Sequence, residues 1–320
     1  MLAYMHDIFT TEDRAAMNAS LAGLAATQYQ EQRAQHPRTA AWRVLVWVLV
    51  MQVPVLFVWL LVSMPTPSLR PYEYPVFFVL GLVGAYLVAQ QWHFLVLRNA
   101  ARNNVIAAYA ASRGWSRVNK LPVAVTTPLL RHPRGKMGWG VQGVLDDQTR
   151  FTVGAYEYTE GGGDSRETYP FTVAMIDAPL SGIDMVMLNA VERRKVRAML
   201  KGTTGAMRQV ALESVEFDKA FELLIAANSD PLVVQRRFSP VVQVAMIDRG
   251  LGRSLFEAEN GVLVAATFGL TRTKDFGQLL DVLGDALWMR SVLVDEPAGR
   301  VPDLAELRAK LLGTEATPAA

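Results

Sequence analysis

Residues 75–114 constrain this chain more than any other stretch: an uncharged apolar run ending at Leu97 continues as a helical pattern that carries basic but no acidic residues. About 20 apolar residues in a helix match the roughly 30 Å hydrocarbon thickness of a bilayer, so the run reads as a membrane span followed by a basic stem. Residues 44–64 are also uncharged and supply a second span, interrupted by Gln52, Pro54 and Ser63. Pro54 has no N–H and leaves the Val50 carbonyl without its usual partner, which predicts a kink. Residues 65–74 hold three prolines and are too few for structure of their own, so the spans are expected to form a tight hairpin. Gly81, Ala85 and Ala89 give the second span a small-residue strip for close helix approach.

Charge sets the expected orientation. Arg33, Arg38 and Arg43 precede the first span, and Arg98, Arg102, Arg113, Arg117 and Lys120 follow the second, against a single Arg70 between them. The positive-inside rule then predicts a multi-pass protein of a bacterial inner membrane with both termini in the cytoplasm. The first apolar run starts beyond residue 40 and is too long for a signal-peptide core, so it is expected to act as an uncleaved anchor. A formal net charge of +2 gives no global field for nucleic acid, yet residues 98–136 contain eight Lys or Arg and no Asp or Glu. Within that run Arg113, Arg117, Lys120 and Arg131 extend past what topology needs and are expected to contact anionic lipid head groups. With no Cys, disulfides, thiolate nucleophiles and cysteine metal sites are excluded.

The expected fold class is therefore an integral membrane α-helical hairpin plus a cytoplasmic α+β domain with mainly antiparallel sheet. Residues 1–40 form a cytoplasmic amphipathic helix, 41–97 the hairpin, 98–114 the stem closing at Gly114, 115–297 the α+β domain, and 298–320 a flexible tail with one helix at 303–312. Inside the domain, 139–145 and 150–158 read as a hairpin joined through Asp146, Asp147 and Gln148, and 169–176 as a third strand. Residues 183–188, 210–214 and 222–227 read as further strands, with a helix from Asn189 to Leu200 between the first two. Asp230-Pro231 and Ser239-Pro240 each put a capping side chain before a proline at the first helical position. Asn260-Gly261 between 254–259 and 262–267 signals a two-residue hairpin turn. Phe276, Leu279, Leu280, Leu283 and Leu287 fall on one face of a last long helix, which should cover a sheet.

Leu212-Glu213-Ser214, followed by Phe217 and Phe221, and then Asp230-Pro231 leading to Ser239-Pro240, resembles uncharacterised bacterial membrane proteins with two N-terminal spans and a cytoplasmic domain of unknown function. The likeness covers most of residues 115–297. It implies a fold, and no activity.

Chemical groups are sparse. His6, His36, His93 and His132 are scattered without metal-ligand spacing, and neither the glycines of 161–163 nor Gly202-Thr-Thr-Gly205 make a phosphate loop. Asp146 and Asp147 read as turn-formers. Glu213, flanked by apolar residues, reads either as a buried functional carboxylate or as a residue on the solvent face of a strand. No catalytic residue, cofactor or metal is expected. The function expected is a membrane-anchored binding or adaptor domain for a protein partner; the alternative is an inner-leaflet enzyme acting on a lipid-linked or peptide substrate, with Glu213 or Tyr156 as its acid.

Overall fold

The computed structural model of the chain describes residues 19, 23, 26, 27 and 30, and residues 107–312 apart from 108–109, 112, 119–126, 133, 146–147, 162–165, 181–182, 190–206, 270–275 and 296–299. The chain divides into two units, residues 19–106 and the remainder. In the first, Ala19, Gly23, Ala26, Thr27 and Gln30 are helical and exposed, and the Thr27 hydroxyl donates to the Gly23 carbonyl at 3.1 Å. The expected spans, 44–64 and 75–97, lie outside the described residues.

The second unit is built on nine strands: β1 (Ser116–Val118), β2 (Gly135–Val144), β3 (Arg150–Glu160), β4 (Glu167–Asp177), β5 (Met185–Asn189), β6 (Met207–Val210), β7 (Phe221–Ala226), β8 (Ser254–Glu259) and β9 (Val262–Phe268). They form one sheet in the order β1-β2-β3-β4-β9-β8-β5-β7-β6, with every pairing antiparallel. The helices are α1 (Val215–Ala220), α2 (Pro231–Arg237), α3 (Pro240–Asp248), α4 (Phe276–Arg290) and α5 (Leu304–Leu312), with a single π turn over Ser291–Asp295.

This corrects the expected fold class. Among the described residues no helix is long and apolar enough to cross a membrane. The longest, α4, has 15 residues and carries Asp281, Asp285 and Arg290; at about 1.5 Å per residue it falls short of a ~30 Å hydrocarbon core. Among the described residues a nine-stranded antiparallel sheet with helices on one face dominates.

The sheet centre is covered on both sides. One face carries Tyr156, Tyr158, Phe171, Val173, Met175, Val186, Leu188, Leu224, Leu255 and Val264, all buried, and Leu129 and Leu130 pack against them. The helices take the other face. Asp285 of α4 accepts from the Ser254 hydroxyl at 2.9 Å, on the side of β8 opposite Leu255, and it also pairs with the buried Arg249 at 3.4 Å. Phe217 of α1 stacks on Phe221 with ring centroids 4.7 Å apart. In turn α5 buries Leu307 and Leu311 and packs on α4.

Local chemistry sets the element ends. The Asp230 carboxylate accepts from Leu232 N–H at 2.9 Å and the Ser239 hydroxyl from Val242 N–H at 3.4 Å, so both proline-started helices are capped as expected. The helical residues before Gly114 end in paired bonds, Trp115 N–H to Ala110 O at 2.8 Å and Gly114 N–H to Ala111 O at 3.0 Å, with Gly114 at φ 69°. At the crossing of β2 and β3 the backbones approach so closely that a Cβ on Gly154 would lie 2.4 Å from the Trp139 carbonyl. Two expectations shift: α1 occupies the region read as leading out of an extended segment, and β6 ends at Val210, where 210–214 was expected to be a strand.

Between β8 and β9, Asn260 and Gly261 both have positive φ, 52° and 77°, as a I′ turn requires. A β-branched residue at Gly261 is strained there, so Gly261→Val is expected to lower stability by about 1–3 kcal/mol. The urea midpoint of the purified variant measures it, and an unchanged midpoint would show that the turn tolerates the substitution.

Candidate functional site

Two features of this unit stand apart from ordinary core and surface. The first is a helical face. Gln243, buried in α3, accepts from Ser214 N–H at 3.2 Å and donates to the Phe238 carbonyl at 2.7 Å, so one amide ties the start of α1 and the end of α2 to α3. Phe217, Phe238, Val242 and Met246 are buried beneath. The outward positions are also apolar: Val215 is 62% exposed, Leu232 60%, Val233 36%, Val241 64% and Val244 53%. Among the described residues only Val144 joins these five as an exposed large hydrophobic side chain. Scattered single apolar residues are normal on a surface, whereas five concentrated on three consecutive helices tied by one glutamine stand out.

The second feature lies on the opposite face of the sheet. Glu257 of β8 is fully buried, and the Leu129 N–H donates to both of its oxygens, at 3.1 Å to Oε1 and 2.9 Å to Oε2. The Leu129 carbonyl accepts from the Tyr156 hydroxyl at 2.9 Å. The same loop continues through Arg131, which pairs with Glu259, to His132, whose ring lies 4.3 Å from that of Tyr158. Burial pushes the Glu257 carboxyl up from 4.5 to about 7; the Leu129 N–H and the neighbouring Thr127 pull it down, Glu259 adds to the rise and Arg131 opposes it. The Thr127 hydroxyl nevertheless falls outside hydrogen-bond geometry. Burial, and then the charge of Glu257, raise the Tyr156 hydroxyl well above the ordinary tyrosine range.

The residues singled out in the sequence are dispersed. Arg113 ends the helical turn before Gly114, Arg117 lies half-buried on edge strand β1, and Lys120 is outside the described residues. Arg131 is held by Glu259 on β8, five strand positions from β1, or about 24 Å at ~4.8 Å per strand. Glu213 is exposed at a bend before Ser214, the N-cap of α1, and not on a strand. Tyr156 sits on β3, six positions across the sheet from β6, so these two candidate acids do not share a site. Asp146 and Asp147 lie outside the described residues, as do three of the four histidines; His132 is the exception. Sequence reasoning passed over Glu257, because the alternation Leu255, Glu257, Glu259 resembles a polar strand face. The apolar neighbours Val186 and Val264, which pair with Glu257 across the sheet, are the signal that it is covered.

No family model matches the chain, and no curated protein matches it. Among solved structures, the crystal structure of the mycobacterial trehalose monomycolate transport factor A, TtfA, aligns over 61% of this chain and 95% of that one, at 10% identity and a TM-score of 0.39. A likeness that distant bears on no residue discussed above.

The buried carboxyl gives a pH dependence of known sign. Between pH 4.5 and about 7 the native state holds a proton that the unfolded chain has released, so stability falls as pH rises across that window and levels off above it. The loss is on the order of 3 kcal/mol. Glu257→Gln has no proton to lose and is expected to flatten this part of the profile, measured by urea unfolding from pH 4.5 to 8.

Proposed function

We propose that this chain is a non-enzymatic binding module that docks a protein partner on the face formed by α1, α2 and α3. The observation that carries it is the set of five exposed apolar side chains, Val215, Leu232, Val233, Val241 and Val244, on helices tied together by Gln243. Charge selects the class of partner. Residues 207–253 contain six Lys or Arg and six Asp or Glu, a balance that suits a protein surface with an apolar centre and a mixed polar rim better than a polyanion. Exposed apolar area on a pre-formed helix cluster is also the feature of a docking face that costs least to order on binding.

A photo-crosslinking residue placed at Val241 or Val244 in cells is expected to give one discrete protein adduct, which Leu232→Asp abolishes. Because these positions are exposed, the substitution should change stability by no more than about 0.5 kcal/mol. An adduct with a second copy of the chain also supports protein docking. Absence of any adduct, or the same adducts from Val144, overturns the proposal.

Contact of the basic run with anionic lipid is a second, separable proposal, supported by the eight Lys or Arg and no acid in residues 98–136. Vesicles containing phosphatidylglycerol are expected to float the protein at low salt, and neutral vesicles are not. Charge reversal at Arg113, Arg117, Lys120 and Arg131 should remove the difference; binding that ignores lipid charge would reject this contact.

A further inference from the structure

Glu257 is an acid with no use in the docking face, in a place where its charge is costly, and every group around it bears on one loop. Leu129 is held through both its N–H and its carbonyl, by side chains from β8 and β3, strands separated by β4 and β9. Residues 127–132 therefore cross the line where β4 pairs with β9, and Leu129 and Leu130 bury their side chains against the sheet.

Two states of the carboxyl make different demands. A protonated carboxyl accepts from Leu129 N–H with one oxygen and has an O–H to donate, for which the buried Thr127 hydroxyl beside it is one acceptor. An ionised carboxylate can still accept from the Leu129 N–H and the Thr127 hydroxyl, but these are neutral donors that leave its charge without a counter-ion, so it needs a cation or water. The cation facing it, Arg131, is already paired with Glu259, and Glu259 itself adds repulsion. Tyr156 is held neutral, and Glu222 on β7 shares this face across β5 without offering positive charge. Ionisation in the closed arrangement thus leaves a buried charge under-compensated, and lifting the loop admits water to it.

We propose that residues 127–132 are a proton-gated strap over the β4–β9 junction, closed while Glu257 carries its proton and released when it loses it. Release frees the Leu129 amide and uncovers part of the apolar face that includes Tyr156, Val186 and Val264. The strap requires no ligand and is independent of the docking face on the other side of the sheet.

Hydrogen exchange of the full-length protein, followed by mass spectrometry and corrected for the intrinsic pH dependence of exchange, reads the strap directly. Protection of the peptide spanning residues 127–132 is expected to fall roughly 40-fold from pH 5 to pH 7 and to level off above, as linkage requires for an acid held near neutrality when closed and near its ordinary value when open. Protection of α4 should not follow it. Glu257→Gln is expected to hold the strap closed at every pH. His132→Gln, which removes the other ionisable ring of the loop, should leave the profile in place. Flat protection in the natural protein, an unchanged profile in Glu257→Gln, or its loss in His132→Gln overturns the proposal. Should Glu257→Gln fail to fold, carbon-13 spectra of the glutamate carboxyls in the natural protein decide: a buried carboxyl titrating near neutrality is expected, and its absence overturns the strap.

Discussion

The pairing of β4 with β9 holds this fold together. Residues 171–177 and 262–268 meet in register although about ninety residues separate them in sequence, so closing this contact costs more chain entropy than any neighbouring hairpin does. On one side of it β2, β3 and β4 run as a meander of short connections; on the other, β8 and β9 form a tight hairpin to which β5, β7 and β6 are added outward. Each half can pair locally. Only their junction creates a sheet wide enough to be buried on both faces, and α4, which touches β3, β4, β8 and β9, spans that junction from the helical side.

Where a signal was local, the sequence was legible. Asp230-Pro231, Ser239-Pro240 and Asn260-Gly261 each dictate a backbone geometry through two adjacent residues, and each adopts it. The strands from β2 to β4 and from β8 to β9 were also readable, since alternating or continuous apolar runs bounded by turn residues leave little choice. Pairings between distant strands carried no such mark. Nor did α1, a six-residue helix without an apolar period, started by the Ser214 hydroxyl accepting from Phe217 N–H at 3.2 Å. The apolar runs that dominated the sequence lie outside the described residues.

The candidate sites were harder to read, for a physical reason. An exposed valine on a short helix and a buried one look alike in sequence: α3 reads Pro-Val-Val-Gln-Val, and the structure buries Val242 and Gln243 while exposing Val241 and Val244. Conversely, Glu257 has the spacing of a solvent-facing residue and is the most deeply buried acid of its strand. In both cases the decisive fact is which face of the sheet a neighbouring segment covers, and that depends on topology.

The Glu257 anchor has a bearing on strand register. A sheet whose central strands are apolar on both faces has weak means of choosing alignment, since a slip by one residue exchanges one set of hydrophobic side chains for another. Here a slip of β8 by one residue would turn Glu257 from the loop-covered face toward the side of α4, away from the Leu129 N–H and Arg131. One carboxyl thus penalises every odd misalignment of the strand that carries it. An apolar residue at that position could face either side of the sheet; the acid is accommodated on one.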